Sequence, residues 1–249
     1  MNIHLRTFPD TEELIFQGLE LFRSLFPSIG KNQQVLTPSV PRLGKGDGIM
    51  LAGGRTPLEI YRRAAAEGLS TKATLFLSDE RYVPSTDPQS NYGAISPFFN
   101  NVGQASSLSI HAKGQTTEDR LEALSYFMRI QTELSIEDAA QAFHNELNQL
   151  ERIPLGLLGL GADGHTASLF NLEDAAPRDE RLAIPVIKAE KPDRISVTPT
   201  LLNRIERIII LATGAEKKEI IQTLLSDPES IPAGVALTDH PNVELWTAM

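Results

Sequence analysis

The chain has 249 residues, 23 Lys and Arg against 32 Asp and Glu, a formal net charge of −9, and 41% hydrophobic residues. That composition belongs to a chain that folds around a packed interior, as one large α/β domain or two small ones. The acidic balance weighs against nucleic acid as a partner, and the lack of cysteine excludes disulfides, thiol catalysis and thiolate metal sites.

The opening MNIHLRTFPDTEEL has no basic start followed by an apolar run, and the longest apolar runs are strand-sized. Neither a signal peptide nor a membrane span is expected, and the expected location is cytoplasmic. Asp10 with Glu13 forms a capping-box pattern, and Leu14, Ile15, Leu19, Phe22 and Phe26 then recur at helical spacing. Residues 27–47 hold three prolines and no sustained period, which reads as a long exposed connection. A strand follows at 49–52, then a helix with Pro57 in its first turn that carries Leu58, Ile60 and Tyr61 and stops near Gly68. Strands are expected at 75–77 and 108–110. A mostly helical region is expected from 117 to 150, broken near Ser135, which with Asp138 makes a second capping-box pattern. Further strands are expected at 155–158, 195–197 and 208–211, the last followed by a helix over 215–225. Continuous apolar strands separated by helices imply a parallel sheet covered on both faces.

In such sheets ligands lie beyond the carboxyl ends of the strands, so the loops after each strand carry the information. The turn Ala52-Gly53-Gly54-Arg55-Thr56-Pro57 joins a strand to a helix, where two glycines and free N–H groups suit an anion. It also reads as a tight turn that merely needs glycine. The next loop begins Ser78-Asp79-Glu80-Arg81, with Asp87, Ser90 and Asn91 downstream; by itself, Glu80 with Arg81 reads first as a structural ion pair. The stretch Gly159-Leu160-Gly161-Ala162-Asp163-Gly164-His165-Thr166-Ala167-Ser168-Leu169-Phe170 is the rarer pattern. His165 is the one histidine of five in a glycine-rich setting with an acid two residues away, which points to proton transfer ahead of a capping role. Arg194 and Lys217 read alone as solvated surface charges.

GLGADGHTASLF resembles the signature of 6-phosphogluconolactonases, and AGGRTP, SDERYVPSTDPQSNYG, DRISVT and ATGAEKK are similar to further blocks of that family in the same order. The resemblance runs from about residue 48 to 225. The related glucosamine-6-phosphate deaminases share the glycine turn, the Asp79 position and the Asp163-Gly164-His165 core. They continue with Ala-Phe-Asn-Glu where this chain has Ala167-Ser168-Leu169-Phe170, so the carboxylate they use beside their histidine is missing here. There are departures from the lactonase pattern: Arg55 stands where Ser or Thr is common, Asn171 where proline is usual, and Ile153-Pro154 replaces a more usual Phe-Asp. The chain also stops at Met249, soon after Trp246, where relatives often continue.

The resemblance implies a single Rossmann-like α/β domain over residues 1–249, mainly a parallel sheet with helices on both faces. It implies hydrolysis of 6-phospho-D-glucono-1,5-lactone, the second step of the oxidative pentose phosphate pathway. His165 is assigned as general base and Asp163 as the residue fixing its tautomer. Gly53, Gly54, Arg55 and Thr56, with Asp79, Arg81, Arg194 and Lys217, are the expected substrate and phosphate contacts. No metal or other cofactor is expected, since one histidine lies at the site and no oxygen cage is apparent. The expected partner is a small phosphorylated sugar lactone, with no nucleic acid or membrane, and the chain is expected as a monomer or small homo-oligomer. The alternatives are an amino-sugar-phosphate deaminase or isomerase, and a non-catalytic sugar-phosphate sensor.

Overall fold

The structure, a computed structural model, describes residues 3–26, 43–100 and 126–248. The strand expected at 108–110, the helix expected to begin at 117 and most of the 27–47 connection lie outside the described residues.

Six strands form one sheet in which every pairing is parallel. They are β1 (Ile3–Phe8), β2 (Asp47–Leu51), β3 (Thr74–Leu77), β5 (Arg152–Gly159), β8 (Ile208–Thr213) and β9 (Val243–Ala248), in the order β1-β9-β8-β5-β2-β3. Side chains of these strands divide by alternation. Ile49, Leu51, Leu75, Leu77, Leu155, Leu157, Ile209 and Trp246 face one core, with α1 (Thr11–Leu25), α2 (Arg55–Ala66) and α3 (Asn91–Asn100) laid over it. Met50, Phe76, Leu158, Ile208, Ile210 and Leu245 face the other, beneath α4 (Ile136–Leu147) and α5 (Lys218–Ser226). The expected sheet with helices on both faces is what forms.

Local signals explain the helix ends. Asp10 accepts a hydrogen bond from the Glu13 N–H (2.8 Å) and Ser135 from the Asp138 N–H (3.2 Å), so both capping boxes open helices. Such caps are worth about 1 kcal/mol each.

Three expectations need correction. Residues 126–134 are not helical: Phe127 pairs in parallel with Leu75, through Leu75 N–H to Tyr126 O and Met128 N–H to Leu75 O (both 2.8 Å). The apolar run Tyr126-Phe127-Met128 fits a helix or a strand, and the free edge of β3 decides. The strand expected at 195–197 does form, as part of β7 (Arg194–Val197), but outside the parallel sheet. It is the centre of a small antiparallel sheet, between β4 (Asp79–Arg81) and β6 (Ala183–Val186). Finally, β1, β4, β6 and β9 were not among the expected strands. Polar residues alternate with apolar ones in IHLRTF and VELWTA, which hides them from a search for continuous apolar runs.

A buried histidine sets an acid limit on the fold. His240 is 2% exposed; its Nε2–H donates to Ile205 O (2.7 Å) and its Nδ1 accepts from the Asn242 N–H (3.1 Å). Burial holds it below its ordinary value, so the unfolded chain takes up its proton first as the pH falls. Urea midpoints should therefore decline as the pH falls below about 6.5, and decline less in His240→Gln, as denaturation followed by circular dichroism at several pH values will show.

Candidate active site

Because the six strands run one way, the segments after β2, β3, β5 and β8 all leave from the same edge of the sheet. Chain order reverses between β2 and β5, which are neighbours, so the loops that leave these two strands diverge and open a crevice. The first carries Gly53, Gly54, Arg55 and Thr56, and the second carries Asp163 and His165.

After β2, Gly54 takes φ +104, a conformation L side chains rarely adopt, and caps α2 without a side-chain bond. The first N–H groups of α2 are left without intrahelical partners and point along the helix dipole. Thr56 Oγ1 lies 2.8 Å from Thr213 Oγ1, which joins this turn to the end of β8. Four residues on, Lys217 closes a 3-10 turn (Ala215–Lys217) and makes no ion pair among the described residues. Arg55 is exposed and likewise unpaired among them.

After β5, the Asp163 carboxylate accepts from the His165 backbone N–H (3.2 Å) and from the ring Nδ1 (2.5 Å). A carboxylate only accepts, so Nδ1 carries the proton and Nε2 is left as the free base. Burial pushes the Asp163 carboxyl up, but the hydrogen bonds and charge of His165 outweigh it and hold it below the usual carboxylate range. The His165 side chain is 29% exposed, enough for solvent to reach it, while packing fixes the ring. A Cβ on Gly161 would fall 2.2 Å from His165 Nδ1 and 2.4 Å from Asp163 Oδ1, so only glycine lets the pair lie over that turn.

Ser168 locks this loop onto the small sheet. Its N–H meets Ser196 Oγ (3.1 Å) and its hydroxyl donates to Asp79 Oδ2 (2.7 Å), both with the serine fully buried. Asp79 pairs with Ser196 across the strands, and Arg81 with Arg194. The two guanidiniums are thus neighbours, with no carboxylate hydrogen-bonded to either among the described residues. Burial, then the Arg81 charge, lowers Arg194 below its ordinary value, against the opposing pull of Asp79 and Glu80.

The expected ion pair between Glu80 and Arg81 does not form. Arg81 donates to Gln89 O (2.6 Å) instead. The Glu80 carboxylate, 2% exposed, accepts from the N–H groups of Arg81, Asn91 and Tyr92 (2.7 Å each) and from Ser90 Oγ (3.0 Å). It caps α3 and holds β4 in place. Burial raises its carboxyl above the usual range, with the four donors pulling the other way.

The structure brings His165 with Asp163, Asp79 with Arg81 and Arg194, and Thr56 with Thr213. Among the described residues, no hydrogen bond or ion pair joins the Arg55 or Lys217 side chain to these groups. Sequence reasoning gave no role to Ser168, Ser196, Thr213, Phe170 or Lys188. Ser168, Phe170, Ser196 and Thr213 all lie inside the stretches that carry the resemblance, but nothing in their local sequence marks the partners they meet in the fold, and Lys188 lies outside those stretches.

The model of one protein family, glucosamine-6-phosphate isomerases/6-phosphogluconolactonase, matches residues 45–246. The chain belongs to this family. A 6-phosphogluconolactonase of Thermotoga maritima is 30% identical over 72% of this chain and 74% of its own. One from Caulobacter vibrioides is 32% identical over 85% and 87%. Among solved structures, a 6-phosphogluconolactonase from Shewanella baltica superposes with a TM-score of 0.72 at 18% identity, covering 99% of this chain and 98% of that one. The Thermotoga maritima structure gives 0.69 at 24%, covering 99% of both. At these identities the superpositions establish the fold.

Within the family frame, Glu80 is the anchor of the strand that carries Asp79 and Arg81. Glu80→Gln turns an amide N–H₂ toward donors, leaving one or more unpaired, and should lower stability by roughly 1–3 kcal/mol. Calorimetric unfolding of the variant and the wild type will measure it; an unchanged midpoint would remove Glu80 from this role.

Proposed function

We propose that the chain hydrolyses 6-phospho-D-glucono-1,5-lactone to 6-phosphogluconate. The observation that carries this reading is the Asp163–His165 pair, poised with Nε2 free at the crevice between β2 and β5. Relatives named 6-phosphogluconolactonase at 30–32% identity support the substrate class.

His165 Nε2 takes a proton from water as the water oxygen bonds to C1, and the C1 carbonyl oxygen becomes an oxyanion. The resulting imidazolium is steadied by Asp163. Free N–H groups of the glycine turns are candidates to hold the oxyanion without reorganising. The C1–O5 bond then breaks, and O5 takes the proton back from His165. The new acid releases its own proton to solvent, so the net change is lactone plus water to carboxylate plus H⁺. The 6-phosphate is assigned to the α2 N-terminus with Gly53, Gly54 and Thr56, and to Arg81, Arg194 and Lys217, with Asp79 on the same strand as Arg81. Unpaired cations in an acidic chain support that assignment. The sugar-phosphate lactone is the proposed partner.

An assay with freshly generated lactone, corrected for spontaneous hydrolysis, tests the reading. His165→Ala should keep the fold and lose about 10²–10⁴ in turnover with a far smaller change in KM. More than half of wild-type turnover at saturation would overturn the assignment.

Lys217→Ala should weaken binding of 6-phosphogluconate about tenfold or more. Its effect on unphosphorylated gluconolactone should be small. Equal weakening of both ligands, read by calorimetry and inhibition, would remove Lys217 from the phosphate site.

A further inference from the structure

Lys188 lies two residues beyond β6 and belongs to none of the contacts assigned above. Its backbone N–H donates to Asp193 Oδ1 (2.9 Å), while the other oxygen of that carboxylate takes the Lys191 ammonium. Asp193 is thus engaged, and the Lys188 ammonium has no carboxylate partner among the described residues. It lies instead over the Phe170 ring, with Nζ 3.4 Å from the centroid. The same ring packs on the His165 imidazole, the centroids 4.6 Å apart and tilted by 46°. One aromatic ring is therefore in contact with both the proposed base and a half-buried, uncompensated cation.

A cation resting on an aromatic face is held far less firmly than one bonded to a carboxylate, and the four-carbon stem lets the ammonium leave the ring for an anion. The lactone carries no charge at C1. Its hydrolysis creates negative charge there twice, first on the tetrahedral oxygen and then on the product carboxylate, and both form beside His165.

We propose that Lys188 reads C1: its ammonium receives the negative charge formed there, on the oxyanion and then on the product carboxylate, while Arg81, Arg194 and Lys217 serve the phosphate at the other end. The inference rests on the lactonase reading for its reaction and on the Phe170 contacts for its geometry. The two ends of the ligand are then held by separate cations, and a ligand with a C1 carboxylate binds better than one without.

Two ligands that differ only at C1 test this. 6-Phosphogluconate carries the carboxylate, and glucitol 6-phosphate has a hydroxymethyl group in its place. Calorimetric titration of the wild type, Lys188→Met and Lys188→Arg with each should show the wild type preferring 6-phosphogluconate. Lys188→Met should lose about tenfold for 6-phosphogluconate and less than twofold for glucitol 6-phosphate, with Lys188→Arg keeping most of the preference. Turnover of Lys188→Met should fall about tenfold with little change in KM. The tether to Asp193 runs through the backbone N–H, and a methionine packs well on an aromatic ring, so the variant retains the local fold. A wild type without the preference, or a Lys188→Met that weakens both ligands alike or neither, overturns the inference. The binding arm needs no turnover. Discrimination lost in Lys188→Met from a wild type that hydrolyses no lactone would sink the lactonase reading and leave the C1 contact standing; hydrolysis with no discrimination lost would do the reverse.

Discussion

All six strands of the large sheet point the same way, and the site depends on that constraint. Uniform direction gathers the segments after β2, β3, β5 and β8 on one edge, although the first follows Leu51 and the last follows Thr213. A parallel sheet requires a covered crossover between strands, so the apolar faces of α1, α2, α4 and α5 follow from the same constraint. Reversal of the strand order between β2 and β5 then parts two loops rather than stacking them. Each loop meets the gap with backbone: at Gly54 a positive φ frees the start of α2, and at Gly161 the absent Cβ leaves room for an imidazole.

The edge would remain a set of loose loops without a cross-tie, and Ser168 supplies it. Its neighbour Ala167 takes φ +49, a left-handed conformation that costs a non-glycine residue about 1–2 kcal/mol. That strain turns the chain so that Ser168 donates from both backbone and side chain, to Ser196 and Asp79. Two buried hydrogen bonds, one to a carboxylate, contribute about as much as the strain costs or more. The result couples the large sheet to the small one: the loop that carries His165 and the strand pair that carries Arg81 and Arg194 cannot shift independently.

How much of this the sequence reveals follows from the range of each signal. Capping boxes, Pro57, the stop near Gly68 and the apolar strands around Ile49, Leu75, Leu157 and Ile209 are local, and they are legible. So is the Asp163–His165 pair, two residues apart on one turn. The antiparallel grouping of β4, β6 and β7 is not local, because it joins segments around 80, 184 and 195 that carry no mark of their partner. Glu80 misleads for the same reason: its neighbour in sequence is Arg81, but its carboxylate is claimed by N–H groups 11 and 12 residues away. The region at 126–134 fails as a helix because a free strand edge is a tertiary fact. Arg194, next to Asp193, and Lys217, between Glu216 and Lys218, read in sequence as ordinary surface charges, and only the resemblance placed them near the site.

Electrostatics gives the arrangement its direction. The chain is acidic by nine charges, yet Arg81 and Arg194 stand side by side across two strands. Like charges directly opposite each other destabilise a sheet, and burial adds to the cost for Arg194. Asp79 pulls the other way from nearby but makes no ion pair with either arginine among the described residues; its oxygens accept instead from the Ser78 and Ser168 hydroxyls. The pair therefore stays under-neutralised in the free protein, and an anion that reaches it gains what the fold has left unsatisfied. A phosphate at one end of a sugar can use that gain to hold the other end beside His165, so binding energy collected away from C1 serves the reaction at C1. A neutral lactone of the same shape collects none of it, so the phosphate contacts proposed for Arg81 and Arg194 draw on the repulsion that the folded chain maintains.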